Sequence, residues 1–315
     1  MIDKVFKGIH KYINDSVFRF VFNDQYLNKY QKMSDEAYLK KKFKILMGKE
    51  LNLDNPTTFN EKLQWLKLYN RNPLYTKLVD KYEVRDYIKN KIGEEYLIPL
   101  IGSFDRVNDI DFNKLPNQFV LKCNHNSGKG MIICKDKSKL NVKKAKKDLK
   151  RGLKQDYFLY GREWPYKNVK RKVICEQYMS DDGNKKELTD YKFYCFNGHA
   201  ECVMACIDRQ IKPVKYYFFD KNWNLKRINY WSSVAPQTFS LKKPKCLDEM
   251  FDIAETLSIG MPFVRVDLYE CNGKVYFGEL TFFSDSGFDK DILPTTDEYF
   301  GKLIDLNLVN RKIIS

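Results

Sequence analysis

The chain has 315 residues, of which 43% are apolar and 15% are aromatic, so it can bury a sizeable core and is not an intrinsically disordered chain. Its 56 basic and 41 acidic residues give a net charge of +15, which attracts polyanions such as nucleic acid, anionic lipid, nucleotides or acidic polysaccharide. Composition does not choose among these partners, and a general bias toward lysine would explain the charge as well.

The cysteines and the hydropathy pattern bear on the compartment. The chain has eight cysteines, forms no C-x-x-C pair and places most of them in apolar, strand-like runs. Buried free thiols of this kind favour a cytoplasmic protein without disulfides. A metal cluster of His199, Cys202 and Cys206 is a weaker alternative to a half-buried strand. The sequence predicts neither a transmembrane helix nor a signal peptide, because its apolar runs are short and broken by charge.

Residues 1–22 have the pattern of a basic amphipathic helix. Their apolar residues follow helical spacing, with lysines beside them: Ile2, Val5, Phe6, Ile9 and Ile13. Such a helix either lies on an anionic membrane surface or packs against its own domain. The pattern therefore leaves open a peripheral contact with the inner face of a membrane.

The first third of the chain is predicted to be helical. Residues 1–55 are basic and aromatic, and Thr58 with Glu61 matches a capping box at the start of an amphipathic helix. One continuous helix is expected over residues 75–91, and strand and loop are expected over residues 99–116.

From residue 117 the pattern changes to short apolar strands. They are predicted at 118–123, 131–134, 172–176, 187–196, 200–207, 214–219, 263–269 and 274–282. Helices are predicted over Val142–Leu153 and residues 247–257, and Asn-Gly pairs at 197–198 and 272–273 indicate hairpins. The chain is therefore assigned to the α+β class.

The last predicted hairpin contains the strongest candidate for a metal site. Strand alternation places Arg265 and Asp267 on one face, and Glu279 and Thr281 follow across the turn. A two-residue turn would put Glu279 on the opposite face from Asp267, because a slip of one residue reverses every side chain. We therefore predict a three-residue loop at residues 271–273, with Arg265 opposite Glu279. Two carboxylates are enough for Mg²⁺ when phosphate supplies further oxygens.

Three other motifs are candidates for ligand binding. Residues 124–130 (NHNSGKG) follow Lys122 and contain Lys129, so their small residues would let backbone N–H groups approach phosphate, although an ordinary hairpin loop fits as well. Glu176-Gln177-Tyr178 ends a buried strand, where a backbone edge would suit adenine and an acid would suit ribose. Asp190 and Lys192 share one face of a strand.

The order of these motifs along the chain resembles the ATP-grasp fold, and more closely the TupA-like ATP-grasp family of bacterial surface-polysaccharide clusters. The similar stretches span most of residues 55–300: FNEKLQWLKLY (59–69), DKYEVRDYI (80–88), FVLKCNHNSGKG (119–130), EQY (176–178), DYKFYCFNG (190–198), FVRVDLY (263–269) and FGELTFF (277–283). The resemblance implies an α+β ATP-grasp fold, in which two α+β subdomains grip ATP, with a helical N-terminal region.

The resemblance also implies roles for individual residues. The expected ATP-binding residues are the paired lysines, the flexible loop and the hinge: Lys81, Lys122, Ser127, Gly128, Lys129, Gly130, Glu176, Gln177 and Tyr178. The expected catalytic residues are Asp190, Lys192 and Arg265, and the expected Mg²⁺ ligands are Asp267, Glu279 and Thr281. Thr281 stands where many ATP-grasp enzymes have Asn, which leaves the number of metal ions open. His125 and residues 284–287 are candidate acceptor contacts.

The domain organisation that the resemblance implies has four parts. Residues 1–55 are a basic amphipathic N-terminal segment, and residues 56–116 are a helical region that precedes the grasp. Residues 117–175 are the small subdomain with the Gly-rich loop, and residues 176–315 are the large subdomain with the metal site.

The implied activity is an ATP- and Mg²⁺-dependent carboxylate–amine ligase, with a hexuronate carboxylate and an amino acid as substrates. A phosphotransferase on a sugar hydroxyl would use the same site. A non-catalytic polyanion- or membrane-binding protein explains the charge but not the ordered carboxylates, and a glycosyltransferase would lack the usual D-x-D motif. Nucleic acid is not an expected partner, because the aromatic residues follow core periodicity.

Overall fold

The computed structural model describes residues 10–180, 188–207 and 214–309. Its helices are α1 (Ser16–Gln25), α2 (Asp35–Met47), α3 (Phe59–Tyr69), α4 (Leu74–Val79), α5 (Val84–Lys91), α6 (Val142–Leu153), α7 (Phe158–Gly161), α8 (Tyr230–Ser233), α9 (Leu247–Ser258) and α10 (Pro294–Leu303). The predicted capping box at the start of α3 is confirmed, since Thr58 and Glu61 each accept a hydrogen bond from the other's backbone N–H. Among the described residues, no helix is long and apolar enough to cross a membrane.

The strands form two sheets. The first sheet has the order β1-β4-β2-β3 and consists of β1 (Leu100–Phe104), β2 (Phe119–Cys123), β3 (Ile132–Cys134) and β4 (Val173–Gln177). All of its pairs are antiparallel, and α6 covers its core through Ala145 and Leu149.

The second sheet has six strands in the order β10-β9-β5-β6-β7-β8. They are β5 (Asp190–Phe196), β6 (His199–Ile207), β7 (Lys215–Phe219), β8 (Leu225–Lys226), β9 (Phe263–Cys271) and β10 (Lys274–Thr281). The strand β5 lies between β6 and β9 and is buried along its length. The adjacent helix α9 buries Met250, Ala254 and Leu257.

The predicted domain boundaries remain a prediction, but the sheets do not follow them closely. The first sheet includes β1, which lies before residue 117, and β4, which runs two residues past 175. Antiparallel pairing between β1 and β4 joins segments that are about seventy residues apart in sequence, and no local pattern reveals such a contact.

The prediction of one helix over residues 75–91 is wrong, because the helix breaks at Asp80. The Asp80 carboxylate accepts hydrogen bonds from the backbone N–H of Tyr82 and from the side chain of Asn124. An aspartate that bonds its own backbone two residues on competes with helix formation. The break places Lys81 at the junction of α4 and α5 instead of on a helix face.

The prediction of mostly buried cysteines without disulfides is confirmed. None of the eight, which all lie in the described ranges, forms a disulfide, and seven are buried. Burial raises the pKa of Cys175 and of Cys195 to about 12, so neither thiol is ionised near neutral pH.

Candidate active site

The hairpin of β9 and β10 has a register that differs from the predicted one. Its turn contains only Asn272 and Gly273, with φ angles of 53° and 71°. The extra residue is Gly278, a bulge inside β10, after which Glu279 lies opposite Asp267 and Thr281 opposite Arg265. The three-residue loop and the pairing of Arg265 with Glu279 were therefore wrong. The two carboxylates nevertheless share one face.

Glycine is required at the bulge because the strands approach closely there. A Cβ atom on Gly278 would lie 2.9 Å from the carbonyl oxygen of Asp267 and 2.9 Å from the ring of Tyr269. Real Cβ atoms do not approach backbone oxygens this closely, so a side chain at this position would push β10 away from β9. The glycine thus sets the register of the two acids.

We predict that Gly278→Ala lowers the free energy of unfolding by about 1–3 kcal/mol, which is typical of overpacking, and reduces turnover because Glu279 moves relative to Asp267. Chemical denaturation and the rate of ADP formation measure the two effects. Gly273→Asn is the matched control, because nothing lies within 4 Å of a Cβ at Gly273 and Asn tolerates its positive φ. Equal effects of the two substitutions would contradict the role of the bulge.

Asp267 holds two cations in place. Its carboxylate accepts hydrogen bonds from Arg265 Nε at 2.7 Å and from a terminal nitrogen of Arg265 at 2.8 Å. It also pairs with Lys192, which lies directly across from it on β5 and contacts Asp190 at 2.6 Å. Asp267 is only 1% exposed. Bidentate pairing fixes the plane of the guanidinium, so both cations are oriented before any ligand binds.

Glu279 is held more loosely than Asp267. It lies 3.7 Å from Arg265 and 3.4 Å from Lys81, and 36% of its side chain is exposed. Partial burial raises the pKa of Glu279, but the charges of Lys81, Lys192, Arg265 and Lys122 outweigh it and lower the pKa to about 2. Glu279 is therefore ionised throughout the physiological range.

The carboxylates differ in how well they suit Mg²⁺. In the described part of the chain, no group of three His, Cys, Asp or Glu side chains is placed to hold a metal. One or two carboxylates suffice when phosphate and water complete the shell. Glu279 fits this role because it is ionised and partly exposed. Asp267 would have to share oxygens that already accept from Arg265, and Thr281 Oγ1 accepts from Arg265 at 3.1 Å. Their roles as ligands stay predictions.

Lys81 links the two sheets. Its Nζ donates to the carbonyl of Asn126 at 3.0 Å and lies 3.4 Å from Glu279, while its backbone N–H donates to Asn124 at 3.1 Å. One lysine thus contacts both the Gly-rich loop and the second sheet.

Lys122 and Glu176 form a separate ion pair on the first sheet. Their side chains meet at 2.6 Å, and Arg85 approaches the other oxygen of Glu176 at 3.7 Å. Sequence analysis did not identify Arg85, because the helix that carries it gives no sign of facing β4. Gln177 is exposed and Tyr178 is half-buried, beside Lys135.

The Gly-rich loop has a buried base and an exposed tip. Asn124, His125 and Asn126 are buried, whereas Ser127, Gly128 and Lys129 are exposed. Gly130 packs against Gly152 of α6, where a Cβ would lie 2.9 Å from the Gly152 Cα. The tip is therefore free to contact a ligand, while its base is fixed to α6.

A protein-family model described as TupA-like ATPgrasp matches residues 61–305, well over half of the chain. The chain belongs to the TupA-like ATP-grasp family. This confirms the predicted family, the α+β ATP-grasp fold and the prediction of an ATP-grasp enzyme of the ligase type that uses ATP. The roles of the individual site residues remain predictions.

Solved structures resemble this ATP-grasp protein only distantly. D-alanine–D-alanine ligase from Helicobacter pylori is 15% identical, with a TM-score of 0.44 and coverage of 78% of this chain and 69% of that chain. The Bacillus anthracis D-alanine–D-alanine ligase complexed with ATP is 14% identical, with a TM-score of 0.43 and coverage of 74% and 65%. D-cycloserine synthetase DcsG is 13% identical, with a TM-score of 0.43 and coverage of 76% and 73%. No curated protein matches.

Beside Arg265 lies a buried cluster, of which sequence analysis identified only residues 284–287 as candidate contacts. Lys67 Nζ, which is fully buried, donates to the carbonyls of Gly161 at 2.7 Å and Ser286 at 2.6 Å. Ser286 and its neighbour Asp285 both have positive φ angles, of 54° and 45°, which is costly for residues other than glycine. In the same short segment, Ser284 accepts from Arg265 at 3.3 Å. Lys67 and Gly161 lie far from this segment in sequence, so no motif indicated that they meet it.

We predict that Lys67→Met of this ATP-grasp protein costs about 1–3 kcal/mol near pH 10, because two buried carbonyls lose their donor. Burial lowers the pKa of Lys67 to about 7. Between pH 7 and the ordinary value of 10.5 the unfolded parent binds more protons than the folded parent, so parental stability rises with pH there. The parent should therefore gain stability relative to Lys67→Met over this range.

Unfolding by urea at several pH values measures the difference. Lys77→Met, at an exposed position of α4, is the control and should show no such pH dependence. A difference between parent and Lys67→Met that is constant from pH 7 to 10 would contradict the prediction.

Proposed function

We propose that this ATP-grasp enzyme is a carboxylate–amine ligase that joins the carboxylate of a hexuronate to the amine of an amino acid, during synthesis of a capsule or related surface polysaccharide. The supporting observation is the row of charged side chains on one face of β5, β9 and β10, in which Asp267 orients Arg265 and Lys192 beside the partly exposed carboxylate of Glu279. Through Lys81, this row is connected to the Gly-rich loop.

In the proposed first step, a carboxylate oxygen of the hexuronate attacks the γ-phosphorus of ATP. The bond between that phosphorus and the β,γ-bridging oxygen breaks, which gives ADP and an acyl phosphate. Arg265 and Lys192 would neutralise charge on the transferring phosphoryl group, and their fixed orientation reduces reorganisation. When bound at Glu279, Mg²⁺ would supply further charge neutralisation there.

In the proposed second step, the amine nitrogen attacks the acyl carbon, the bond from that carbon to the phosphate oxygen breaks, and phosphate leaves. The amine needs a free lone pair, so a base must remove a proton. Glu163 is our candidate, because it is buried beside Ser286 and burial raises its pKa, which favours accepting a proton.

A substrate screen tests this proposal. We expect the parent protein, with ATP and Mg²⁺, to form ADP and phosphate only when both a hexuronate and an amino acid are present, and to yield a product whose mass shows loss of one water. Lys122→Ala should lower the rate at least about tenfold, whereas Lys147→Ala, at an exposed position of α6, should not.

Two outcomes would contradict the ligase. ADP formation that does not depend on a carboxylate substrate would exclude activation of a hexuronate. A stable product heavier by one phosphoryl group would instead indicate a phosphotransferase that acts on a sugar hydroxyl.

We also propose that the enzyme acts in the cytoplasm, peripherally at the inner face of the membrane, through residues 1–22. Residues 1–9 lie outside the described part of the chain, and Ile13 is 62% exposed. Phe20, by contrast, stacks on Tyr30 at 4.9 Å, so part of α1 packs on its own fold. Co-sedimentation with vesicles that contain phosphatidylglycerol, but not with neutral phosphatidylcholine vesicles, would support the contact; equal sedimentation would contradict it.

A further inference from the structure

A cavity of about 590 Å³ lies outside the catalytic face, between the N-terminal helices and the Gly-rich loop. One wall is formed by the end of α1 and the loop that follows it, and the other by the end of α6, the segment after it and α7. Lys129, at the exposed tip of the Gly-rich loop, also lines the cavity. The cavity therefore borders the loop that is expected to close over the nucleotide.

The charges on the cavity wall favour an anion. Four basic side chains line it, against two acidic ones. The acids have partners, since Asp24 accepts from Tyr38 at 2.6 Å and Asp156 lies 3.8 Å from Arg171. Within the described ranges, neither Lys129 nor Lys154 has a carboxylate within 4 Å, and both are exposed. A ligand carboxylate would find two unpaired ammonium groups there.

The neutral lining is typical of a sugar site. Four carboxamide side chains face the cavity: Gln25, Asn28, Gln31 and Gln155. An amide both donates and accepts, which suits the hydroxyl groups of a sugar ring. The carboxamides therefore provide both donors and acceptors for the hydroxyl groups of a ligand.

The cavity is linked to the catalytic face by a short segment. Arg162 lines the cavity, and the carbonyl of the preceding residue, Gly161, accepts a hydrogen bond from Lys67 at 2.7 Å. Lys67 also donates to Ser286, in the segment beside Arg265. His125 Nε2, at the base of the Gly-rich loop, contacts the carbonyl of Gln155 at 3.0 Å. A substrate that extends beyond the reacting carboxylate would meet this cavity.

We propose that this cavity is a binding subsite for further units of an acidic oligosaccharide acceptor, with Lys154 and Lys129 as contacts for carboxylates and the carboxamides as contacts for hydroxyls. The proposal rests on the acidic saccharide acceptor of the proposed function. It gives α1 and the loop after it a part in substrate binding, because they form one wall of the cavity.

Calorimetric titration with trigalacturonate, a linear hexuronate oligomer, tests the subsite, with neutral maltotriose as the comparison ligand. We expect the parent to bind trigalacturonate and Lys154→Glu to bind it at least about tenfold more weakly. Lys147→Glu makes the same change of charge at an exposed position of α6 that does not line the cavity, and should stay within about twofold of the parent. Gln31→Ala should also weaken binding, without a change of charge.

Three results would overturn the inference: no binding of trigalacturonate by the parent, equal binding of maltotriose, or equal losses in Lys154→Glu and Lys147→Glu. Failure of the proposed function is distinguishable. If trigalacturonate binding depends on Lys154 but no ADP forms, the subsite is supported and the ligase activity is excluded. If ADP formation depends on a hexuronate, but Lys154→Glu and Lys147→Glu have the same KM for trigalacturonate, the ligase is supported and the subsite is excluded.

Discussion

Asp267→Ala should lower the free energy of unfolding by about 3–5 kcal/mol and abolish measurable turnover, because it leaves a buried cation without its counter-charge. Arg265 is only 9% exposed and makes both of its short carboxylate contacts with Asp267. Lys192 would keep Asp190 as a partner, so most of the lost stability comes from the unpaired charge of Arg265. Urea denaturation measures the stability, and ADP formation measures the activity.

The matched control for this substitution is Asp252→Ala on α9, whose side chain is 76% exposed and meets Lys221 only at 3.9 Å. It should change stability by less than about 0.5 kcal/mol. The double variant Asp267→Ala, Arg265→Met should regain part of the lost stability, because no unpaired guanidinium remains. If the double variant were less stable than Asp267→Ala alone, the unpaired cation would not be the cause of the loss.

Glu279→Gln should lower kcat at least about 100-fold and weaken the apparent affinity for Mg²⁺ about 10- to 100-fold, while the protein stays folded. The fold should persist because the contacts of Glu279 with Lys81 and Arg265 are 3.4 Å or longer and its side chain is partly exposed. The amide keeps the shape but provides no charge for a metal or for the four cations near Glu279. Titration of ADP formation with Mg²⁺ measures both quantities.

The control for Glu279→Gln is Glu298→Gln, an exposed position on α10, which should behave as the parent. An unchanged dependence on Mg²⁺ in Glu279→Gln would exclude Glu279 as a metal ligand.

The folded pKa of about 2 for Glu279 lies below the ordinary value of 4.5, so ionised Glu279 adds stability above pH 4.5 that is lost as the pH falls toward 2. The difference in stability between parent and Glu279→Gln should therefore shrink over that range.

Local patterns predicted several elements closely. The helix α6 has the predicted bounds, the capping box starts α3, and the Asn-Gly pairs at 197–198 and 272–273 form hairpin turns. These features depend on residues within a few positions of one another, which is why periodicity and turn chemistry reveal them. The order of the motifs along the chain was also enough to identify the family.

Each wrong prediction has a physical cause, but the sequence pattern does not show which of the competing arrangements is favoured. The expected helix over residues 75–91 breaks because Asp80 bonds its own backbone and Asn124, and the second of these contacts is long-range. The extra residue in the last hairpin lies at Gly278 and not in the turn. An extra residue in the turn and an extra residue at Gly278 both fit the alternation of apolar and polar residues in the two strands. This alternation therefore could not show which of the two occurs.

The sequence by itself determined the α+β class, the family and the identity of most candidate site residues, because each depends on residue type and on order along the chain. Only the tertiary structure decided how these residues meet. Pairing of β5 with β9 brought Lys192 to Asp267, the break at Asp80 brought Lys81 to Glu279, and packing of α3 brought Lys67 to the segment beside Arg265. These contacts join positions tens to hundreds of residues apart, and burial and strand pairing across the whole fold set them.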